Sequence, residues 1–254
     1  MKYTITTCAI AALSLIGCKD ANNTTAEDQA TAADSTAMEN IATSSNAMGE
    51  WTTLFDGQSM DGWHVYNGDE PTQWSIEDDI LVFTPAENRE GTENLITDKE
   101  YTDFTLSLDW KISEGGNSGV MWAVQEDEEY SEPYATGPEV QILDDERHPD
   151  SKAGKSHQSG ALYDMIPPGE DVVKPAGEWN SMTITIDHEN NEGSVELNGT
   201  RVVDFPVTGE EWEELVNESK FADWEGFAKT PSGNIALQDH GHKVSFRNIK
   251  IKEL

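Results

Sequence analysis

Cysteine is scarce in this sequence, and its position is informative. Only two cysteines occur among 254 residues, Cys8 and Cys18, and both lie near the start of the chain. The rest of the chain has no thiol, so it can form neither an internal disulfide nor a cysteine-ligated metal site.

Basic residues are also few. Lys and Arg total 16 against 49 Asp and Glu, which gives a formal net charge of −33. Affinity for phosphate backbones and for anionic lipid comes mainly from clustered Lys and Arg. We therefore expect no nucleic-acid partner and no membrane docking through a basic patch.

The N-terminal apolar stretch is too short to cross a bilayer, which takes about 20 apolar residues. Cys8 to Gly17 follows Lys2 and is typical of the apolar region of a secretory signal. The stretch ends in LIGC at 15–18, which resembles a bacterial lipoprotein signal. The alternative is an ordinary secretory signal in which Cys18 stands there by chance. We expect cleavage after Gly17, lipidation of Cys18 and a lipid-anchored protein of the cell envelope.

The composition divides the chain into three parts. Residues 1–17 are the expected signal peptide, and residues 18–50 comprise the lipidated cysteine and a tether. The tether is rich in Ala, Thr, Ser and Asn and has no aromatic residue, so it cannot bury enough surface to offset the entropy of ordering. Residues 51–254 form the expected folded domain.

Short alternating runs predict an all-β antiparallel sandwich with one short helix for residues 51–254. Phe104 to Ile112 places every second residue, all of them apolar, on one face. Asn198-Gly199 stands between two such runs and predicts a tight hairpin. The spacing of Phe246 and Ile249 indicates a bulge in the last strand. The helix is predicted over Glu210 to Ser219.

Three polar clusters are candidates for a ligand groove, each with a plainer structural alternative. The first, 115–119 (GGNSG), offers close backbone approach and the Asn117 amide, but it is also typical of a hairpin turn. The second, 137–144 (GPEVQILD), places Glu139 and Gln141 on one strand face, which by default would be solvent-exposed. The third, 238–242 (QDHGH), follows an apolar run. A lone histidine there would most often be structural, whereas four adjacent hydrogen-bonding side chains at a strand end favour an active-site loop.

Metal ligands are not clearly indicated. His240 with His242, and Asp144 with His148, have spacings that would allow a metal pair, but neither spacing is diagnostic. If the protein binds a divalent cation, its many carboxylates make calcium the more natural choice. The sequence therefore indicates no definite cofactor.

Taken together, these segments resemble the 3-keto-disaccharide hydrolase domain family. The matching segments lie in order along 51–254: LFDGQSMDGW (54–63), YTDF (101–104), GNSG (116–119), EVQILD (139–144), GALY (160–163), GEWN (177–180), LNG (197–199), QDHG (238–241) and FRNIKI (246–251). Many family members carry an arginine shortly after the Asn-Ser-Gly segment, whereas this chain has VMWAV at 120–124. Trp122 is therefore expected to stack on a sugar in place of an arginine contact.

The resemblance implies a concanavalin A-like sandwich (a jelly roll) and cleavage of glycosides oxidised to a ketone at C3. Such a site needs a base, a group that stabilises the enolate oxygen, and an acid near the leaving oxygen. Either Glu139 or His240 is the expected base, and His157 is a further acid candidate. Asp144 and Asp239 are expected to orient histidines or bind a metal. The expected substrate contacts are Asn117, Trp122, Gln141, Tyr163, Gln238 and Asp239.

Two other functions fit the same sequence. A non-catalytic carbohydrate-binding module would use the same fold, and a structural envelope lipoprotein is a third interpretation. Glu139, Gln141, Asp144 and His240 in one concavity would favour an enzyme. Direct hydrolysis by a carboxylate pair is less favoured, since Glu139 and Asp144 would lie on opposite faces of one strand. The expected partner is a small oligosaccharide or glycoside.

Overall fold

The computed structural model describes residues 49–254, which form two antiparallel β-sheets around a common core. The expected signal peptide, lipidation site and tether lie on residues 1–48, outside the described part, and remain predictions. Within residues 49–254, no helix is long and apolar enough to span a membrane.

The described strands follow one another along the chain and are joined by loops, 3-10 turns and one α-helix, α1 (Glu210–Glu218). They are β1 (Trp51–Thr53), β2 (Trp63–Val65), β3 (Trp74–Glu77), β4 (Ile80–Phe83), β5 (Leu95–Thr97), β6 (Phe104–Ile112), β7 (Asn117–Val124), β8 (Glu139–Leu143), β9 (Asn180–Asp187), β10 (Glu192–Leu197), β11 (Thr200–Phe205), β12 (Asn234–Leu237) and β13 (Val244–Glu253).

The larger sheet has eight strands and the smaller has five. The larger runs in the order β11-β10-β9-β6-β13-β4-β3, with β1 paired to β13, and the smaller runs β2-β5-β12-β7-β8. Between the sheets lies a core that includes the fully buried Trp110, Phe83 and Phe246. Strand β6 alternates between buried and half-buried residues along its whole length, as its sequence predicts.

Several local predictions are confirmed. Asn198 and Gly199 both have positive φ, 52° and 80°, and they join the paired strands β10 and β11. The register of β13 against β6 shifts between Arg247 and Lys250, which is the expected bulge. Helix α1 ends at Glu218, one residue earlier than predicted.

The turn interpretation of residues 115–119 is wrong. These residues do not close a hairpin, because β6 belongs to the larger sheet and β7 to the smaller one. The chain crosses between sheets at Gly115-Gly116, and Asn117 already begins β7. This crossing carries Asn117 onto the smaller sheet, where it lies beside the β8 residues.

The smaller sheet is buried on both faces. Every residue of β7, β8 and β12 is buried, including the polar ones. One face packs into the common core, and a separate apolar cluster of Tyr66, Ile96, Met121, Val124 and Ala236 lies on the sheet outside it. Loops cover this second face, which we call the outer face, so the polar residues of β8 are not simply solvent-facing.

Candidate active site

A cavity of about 330 Å³ lies on the outer face of the smaller sheet. Its volume falls near the lower end of the range for small-molecule sites, ~300–1,000 Å³. We call it the Glu139 cavity. Its lining residues come from β7, β8, the segment after β12 and three loops: Asn117, Tyr134, Glu139, Gln141, Tyr163, Lys220, Phe221, Trp224, Gln238 and His240.

The alternation of side chains along β7 and β8 explains which residues reach this cavity. Asn117 and Gly119 lie on the outer face of β7, and Glu139 and Gln141 lie on the same face of the neighbouring β8. The two strands pair with Gly119 opposite Gln141. Val120, Val140 and Ile142 point the other way, into the common core.

Glu139 is a buried carboxyl group at the start of β8. Its side chain has Gln238 as a hydrogen-bond partner, and its backbone oxygen accepts from the Tyr163 amide at 2.9 Å. Burial raises the pKa of Glu139 to about 8, while nearby Lys220 opposes the rise and Asp150 adds to it. A carboxyl group with this pKa can exchange a proton near neutral pH.

Two amide oxygens in the cavity lack a protein partner. Asn117 Oδ1 and Gln238 Oε1 are both buried without a hydrogen bond. Gln141 differs, because its Oε1 accepts from the Ile142 amide at 3.0 Å and leaves its amide nitrogen for a ligand. A buried polar atom without a partner is costly, so Asn117 and Gln238 favour a ligand that donates hydrogen bonds. The hydroxyl groups of a sugar can donate such hydrogen bonds.

His240 stands at the edge of the cavity within a group of three histidines. Its ring centroid lies 6.0 Å from that of His148 and 5.9 Å from that of His242. Surrounding protein lowers the pKa of His240, and His242 and His148 lower it further. Loss of solvation likewise lowers the pKa of His242, with His148 adding to the effect.

This group is also the one cluster of three metal-ligand side chains found within residues 49–254. Ligand atoms of His148, His240 and His242 lie within 4.8 Å of one another, and three nitrogens suit a transition metal better than calcium. However, the Asp150 amide donates to His148 Nδ1 at 3.2 Å, so a neutral ring carries its proton on Nε2. A metal would therefore compete with this hydrogen bond. The calcium prediction stays a prediction.

Three of the predicted site residues, Asp144, Asp239 and His157, do not line the Glu139 cavity. Each is held by hydrogen bonds to other protein groups. Asp144 Oδ2 accepts from the Gly115 amide at 2.7 Å and pairs with Arg147. Asp239 accepts two bonds from Arg89, at 2.8 and 2.6 Å, and one each from the Glu93 and Gly241 amides, at 2.8 Å. It thereby holds the loop that carries His240.

His157 is held between two carboxylates behind the cavity. Its Nδ1 lies 3.0 Å from Asp150 Oδ1 and its Nε2 lies 2.9 Å from Asp164 Oδ1. Asp150 Oδ2 in turn accepts from the Tyr163 hydroxyl at 3.1 Å. His157 is therefore placed to orient Tyr163, which lines the cavity, rather than to reach substrate itself.

Trp122 is not in the Glu139 cavity. It follows Asn117 by an odd number of positions along β7, so it points into the core, where its ring lies 5.8 Å from that of Phe205. It lines a different cavity of about 550 Å³ together with Trp212 and Phe227. Although this cavity is larger, none of its lining residues is a buried carboxyl group like Glu139.

Sequence reasoning missed four cavity residues, Tyr134, Lys220, Phe221 and Trp224. Tyr134 and Trp224 pack at a centroid distance of 6.0 Å and form one wall. The Lys220 ammonium lies 4.1 Å from the centre of the Tyr163 ring. The one signal available was compositional, since Lys220 is a rare basic residue beside the aromatic-rich segment 221–227.

The structure is a β-sandwich with a candidate active site, and comparison with known proteins gives its family and its class, a glycosidase-type enzyme. Residues 50–252 match the family described as "3-keto-alpha-glucoside-1,2-lyase-like domain", and the chain belongs to that family. It is 35% identical, over 80% of its length and 78% of the relative's, to a 3-keto-disaccharide hydrolase from Bacteroides thetaiotaomicron.

Solved structures agree on the fold. A candidate glycosyl hydrolase from Parabacteroides distasonis superposes with a TM-score of 0.75 at 33% identity, covering 80% of this chain and 94% of that one. A second from the same organism gives a TM-score of 0.62 at 28% identity, covering 81% and 100%.

Proposed function

We propose that the protein cleaves 3-keto-α-glucosides, including 3-keto-disaccharides, by β-elimination followed by addition of water. The observation that carries the proposal is the buried Glu139 carboxyl with a pKa of about 8, facing a cavity whose other polar groups are amides, a histidine and a lysine. Family membership and the named Bacteroides relative support the substrate class.

The chemistry follows from the ketone. A carbonyl at C3 acidifies the hydrogen on C2, so a carboxylate can remove it, and the electron pair becomes an enolate. As the C3 carbonyl re-forms, a C1–C2 double bond develops and the C1–O bond breaks, with the leaving oxygen taking a proton from water. The carboxyl group gives the proton it removed from C2 to the hydroxide left behind, which regenerates the base. Water then adds its oxygen to C1 and a proton to C2, which yields 3-keto-glucose and the released alcohol.

The residues divide these tasks by position. Glu139, in its ionised form, is the base that removes the C2 hydrogen. The Lys220 ammonium supplies positive charge for the enolate oxygen, and the Gln141 amide nitrogen is a second donor. Asn117 Oδ1 and Gln238 Oε1 accept sugar hydroxyls. His240, whose pKa is lowered by burial and by the neighbouring histidines, lies at the cavity edge, where its ring N–H donates a hydrogen bond to the leaving oxygen.

The test is hydrogen exchange at C2. Turnover of 3-keto-trehalose in D₂O should give 3-keto-glucose with deuterium at C2 from the earliest time points, and Glu139→Gln should abolish turnover. A parallel incubation of 3-keto-glucose with the Glu139→Gln protein measures exchange without catalysis. Product that keeps its C2 hydrogen, or unchanged turnover by the variant, would reject the mechanism. Release of glucose from unoxidised trehalose would reject the substrate class.

We also propose that the enzyme is exported and lipid-anchored through Cys18, as the LIGC segment at 15–18 predicts. The full-length protein expressed in a bacterium should partition with membranes and incorporate labelled fatty acid. Cys18→Ala should abolish the label and release the protein into the soluble fraction. Labelling that persists in the variant would contradict the assignment.

A further inference from the structure

A second cavity adjoins the Glu139 cavity. It has a volume of about 270 Å³ and is lined by Arg89, Thr92, Asn94, Glu132, Tyr134, Gln238, Asp239, His240 and Gly241. Three of these residues, Tyr134, Gln238 and His240, also line the Glu139 cavity. The two spaces therefore adjoin across a ridge made by those three side chains, and we call the second space the Arg89 compartment.

The position of the reacting groups orients a two-part substrate in this groove. Glu139 and Lys220 line the Glu139 cavity and not the Arg89 compartment. The oxidised sugar must therefore occupy the Glu139 cavity, with its C2 hydrogen beside the carboxylate. His240 lines both spaces, so the bond to be broken lies at the ridge, and the group that departs extends into the Arg89 compartment.

The lining of the Arg89 compartment indicates what kind of leaving group it takes. Glu132 accepts the Thr92 hydroxyl and the Asn94 amide, each at 2.8 Å, and each carboxylate oxygen retains capacity for a further donor. Arg89 is anchored on Asp239 and on the Gly91 carbonyl, which fixes its guanidinium at the compartment. These are charged and polar groups that are already positioned for hydrogen bonding.

Tyr134 is the one Phe, Tyr or Trp among the lining residues of the Arg89 compartment, and 39% of it is exposed. An exposed aromatic ring surrounded by hydrogen-bonding groups matches a sugar, which offers a flat apolar face and a rim of hydroxyls. An aryl leaving group would instead favour a mainly apolar wall. Tyr134 lies on the ridge, so it can contact both halves of a disaccharide.

We infer that the Arg89 compartment is the leaving-group subsite and that it selects a hydroxyl-rich leaving group, a sugar or polyol, through Thr92, Glu132 and Tyr134. This inference rests on the proposed function and specifies it: it names the side chains that contact the leaving group, and it expects a sugar or polyol to be a better leaving group here than an aryl alcohol.

The test compares two substrates that react by the same chemistry but differ in the size of the leaving group. Thr92→Val and Glu132→Gln should each lower kcat/KM for 3-keto-trehalose about tenfold, the effect of losing a contact of ~1.4 kcal/mol. For methyl 3-keto-α-glucoside, whose leaving group is too small to fill the compartment, kcat/KM should stay within about twofold. Thr72→Val is the matched control, since Thr72 makes the same kind of hydroxyl bond to Glu93 outside both cavities.

The outcomes separate the two proposals. A selective loss on 3-keto-trehalose supports the subsite. Equal losses on both substrates, or no loss on the disaccharide, overturn the subsite while the proposed function stands. A wild-type protein that cleaves neither 3-keto substrate overturns both. A selective loss in Thr72→Val would also overturn the assignment, because the effect would not belong to the compartment.

Discussion

The Glu139 carboxyl group lies directly over the backbone of Gly119 on the neighbouring strand. A Cβ atom built on Gly119 would stand 2.7 Å from the Glu139 carboxyl carbon, far closer than van der Waals contact allows. Gly119 has no positive φ, so the residue is required here for space and not for backbone conformation. The Asn-Ser-Gly segment thus contributes Asn117 as a cavity group and Gly119 as the room that Glu139 occupies.

Gly119→Ala should therefore act as an active-site variant although it removes no functional group. The added methyl group must displace the carboxyl, and we expect kcat/KM on 3-keto-trehalose to fall about 100-fold, as misplacement of a catalytic group typically costs. Thermal unfolding should show a destabilisation of roughly 1–3 kcal/mol from overpacking. Gly169→Ala is the control, because its Cβ would meet its nearest neighbour at an ordinary 3.5 Å. Full activity in Gly119→Ala would mean that Glu139 need not hold this position.

The pH dependence of the reaction should report Glu139 as the base. Because its pKa is raised to about 8, the ionised fraction rises through neutral pH. We expect kcat/KM to increase with pH and to level off above about 8. A profile that instead falls across this range would identify Glu139 as a proton donor and exclude it as the base.

The contribution of Glu139 to the free energy of unfolding should fall as pH rises, whereas kcat/KM should increase. The folded-state pKa of Glu139, about 8, lies above its ordinary value of 4.5, so the stability contributed by the neutral carboxyl is complete below pH ~4.5. That stability is lost as pH rises through 8, because ionisation of the buried group opposes folding. Glu139→Gln carries no titrating group, so its advantage in free energy of unfolding over wild type should grow between pH 5 and 9.

Denaturant titrations of the two proteins at several pH values would measure this difference, on the order of a few kcal/mol at the alkaline end. Asp145, whose burial raises its pKa to about 6, contributes equally to both proteins and cancels. A difference that is constant with pH would mean that Glu139 ionises as readily in the folded chain as in the unfolded one.

Much of the scaffold could be predicted from sequence because it depends on local rules. Strand β6 follows a period of two, and Asn198-Gly199 adopts the backbone that a tight hairpin needs. The shared face of Glu139 and Gln141 follows from the same period. Applied to β7, the same period places Trp122 on the opposite face of the strand from Asn117. The sequence itself therefore argues against Trp122 as a contact in the same sugar site.

The rest of the site depends on contacts between distant segments. Lys220 and Tyr134 reach the cavity from loops that no local pattern positions against β8. Segment 160–163 likewise comes from a distant part of the sequence and covers the free edge of β8 by backbone pairing: the Gln141 amide donates to the Ala161 carbonyl at 3.1 Å. The polar face of β8 is therefore buried, although the sequence alone favours a solvent-exposed face.

Lys220 should matter through its charge. Lys220→Gln removes the cation beside the developing enolate, and we expect kcat to fall ~100-fold, within the range seen for loss of one electrostatic donor. Since Lys220 lowers the pKa of Glu139, the variant should also shift the rising limb of the pH profile to higher pH. Lys229→Gln is the matched control, an exposed lysine nearby in sequence that lines the larger, separate cavity. Equal effects of the two variants would indicate a general loss of positive charge and not a role at the site.

The acidic surface predicts how the folded protein responds to salt. With a formal net charge of −33, like charges repel one another across the folded chain, in stretches such as 126–129 (EDEE) and 210–214 (EEWEE). Salt shortens the screening length from ~30 Å at 0.01 M to ~3 Å at 1 M, which removes most of this repulsion. We therefore expect the thermal midpoint to rise between ~10 mM and ~1 M NaCl, as measured by circular dichroism. Equal midpoints would show that favourable pairs, such as Arg89 with Asp239, already offset the repulsion, since screening weakens both kinds of interaction.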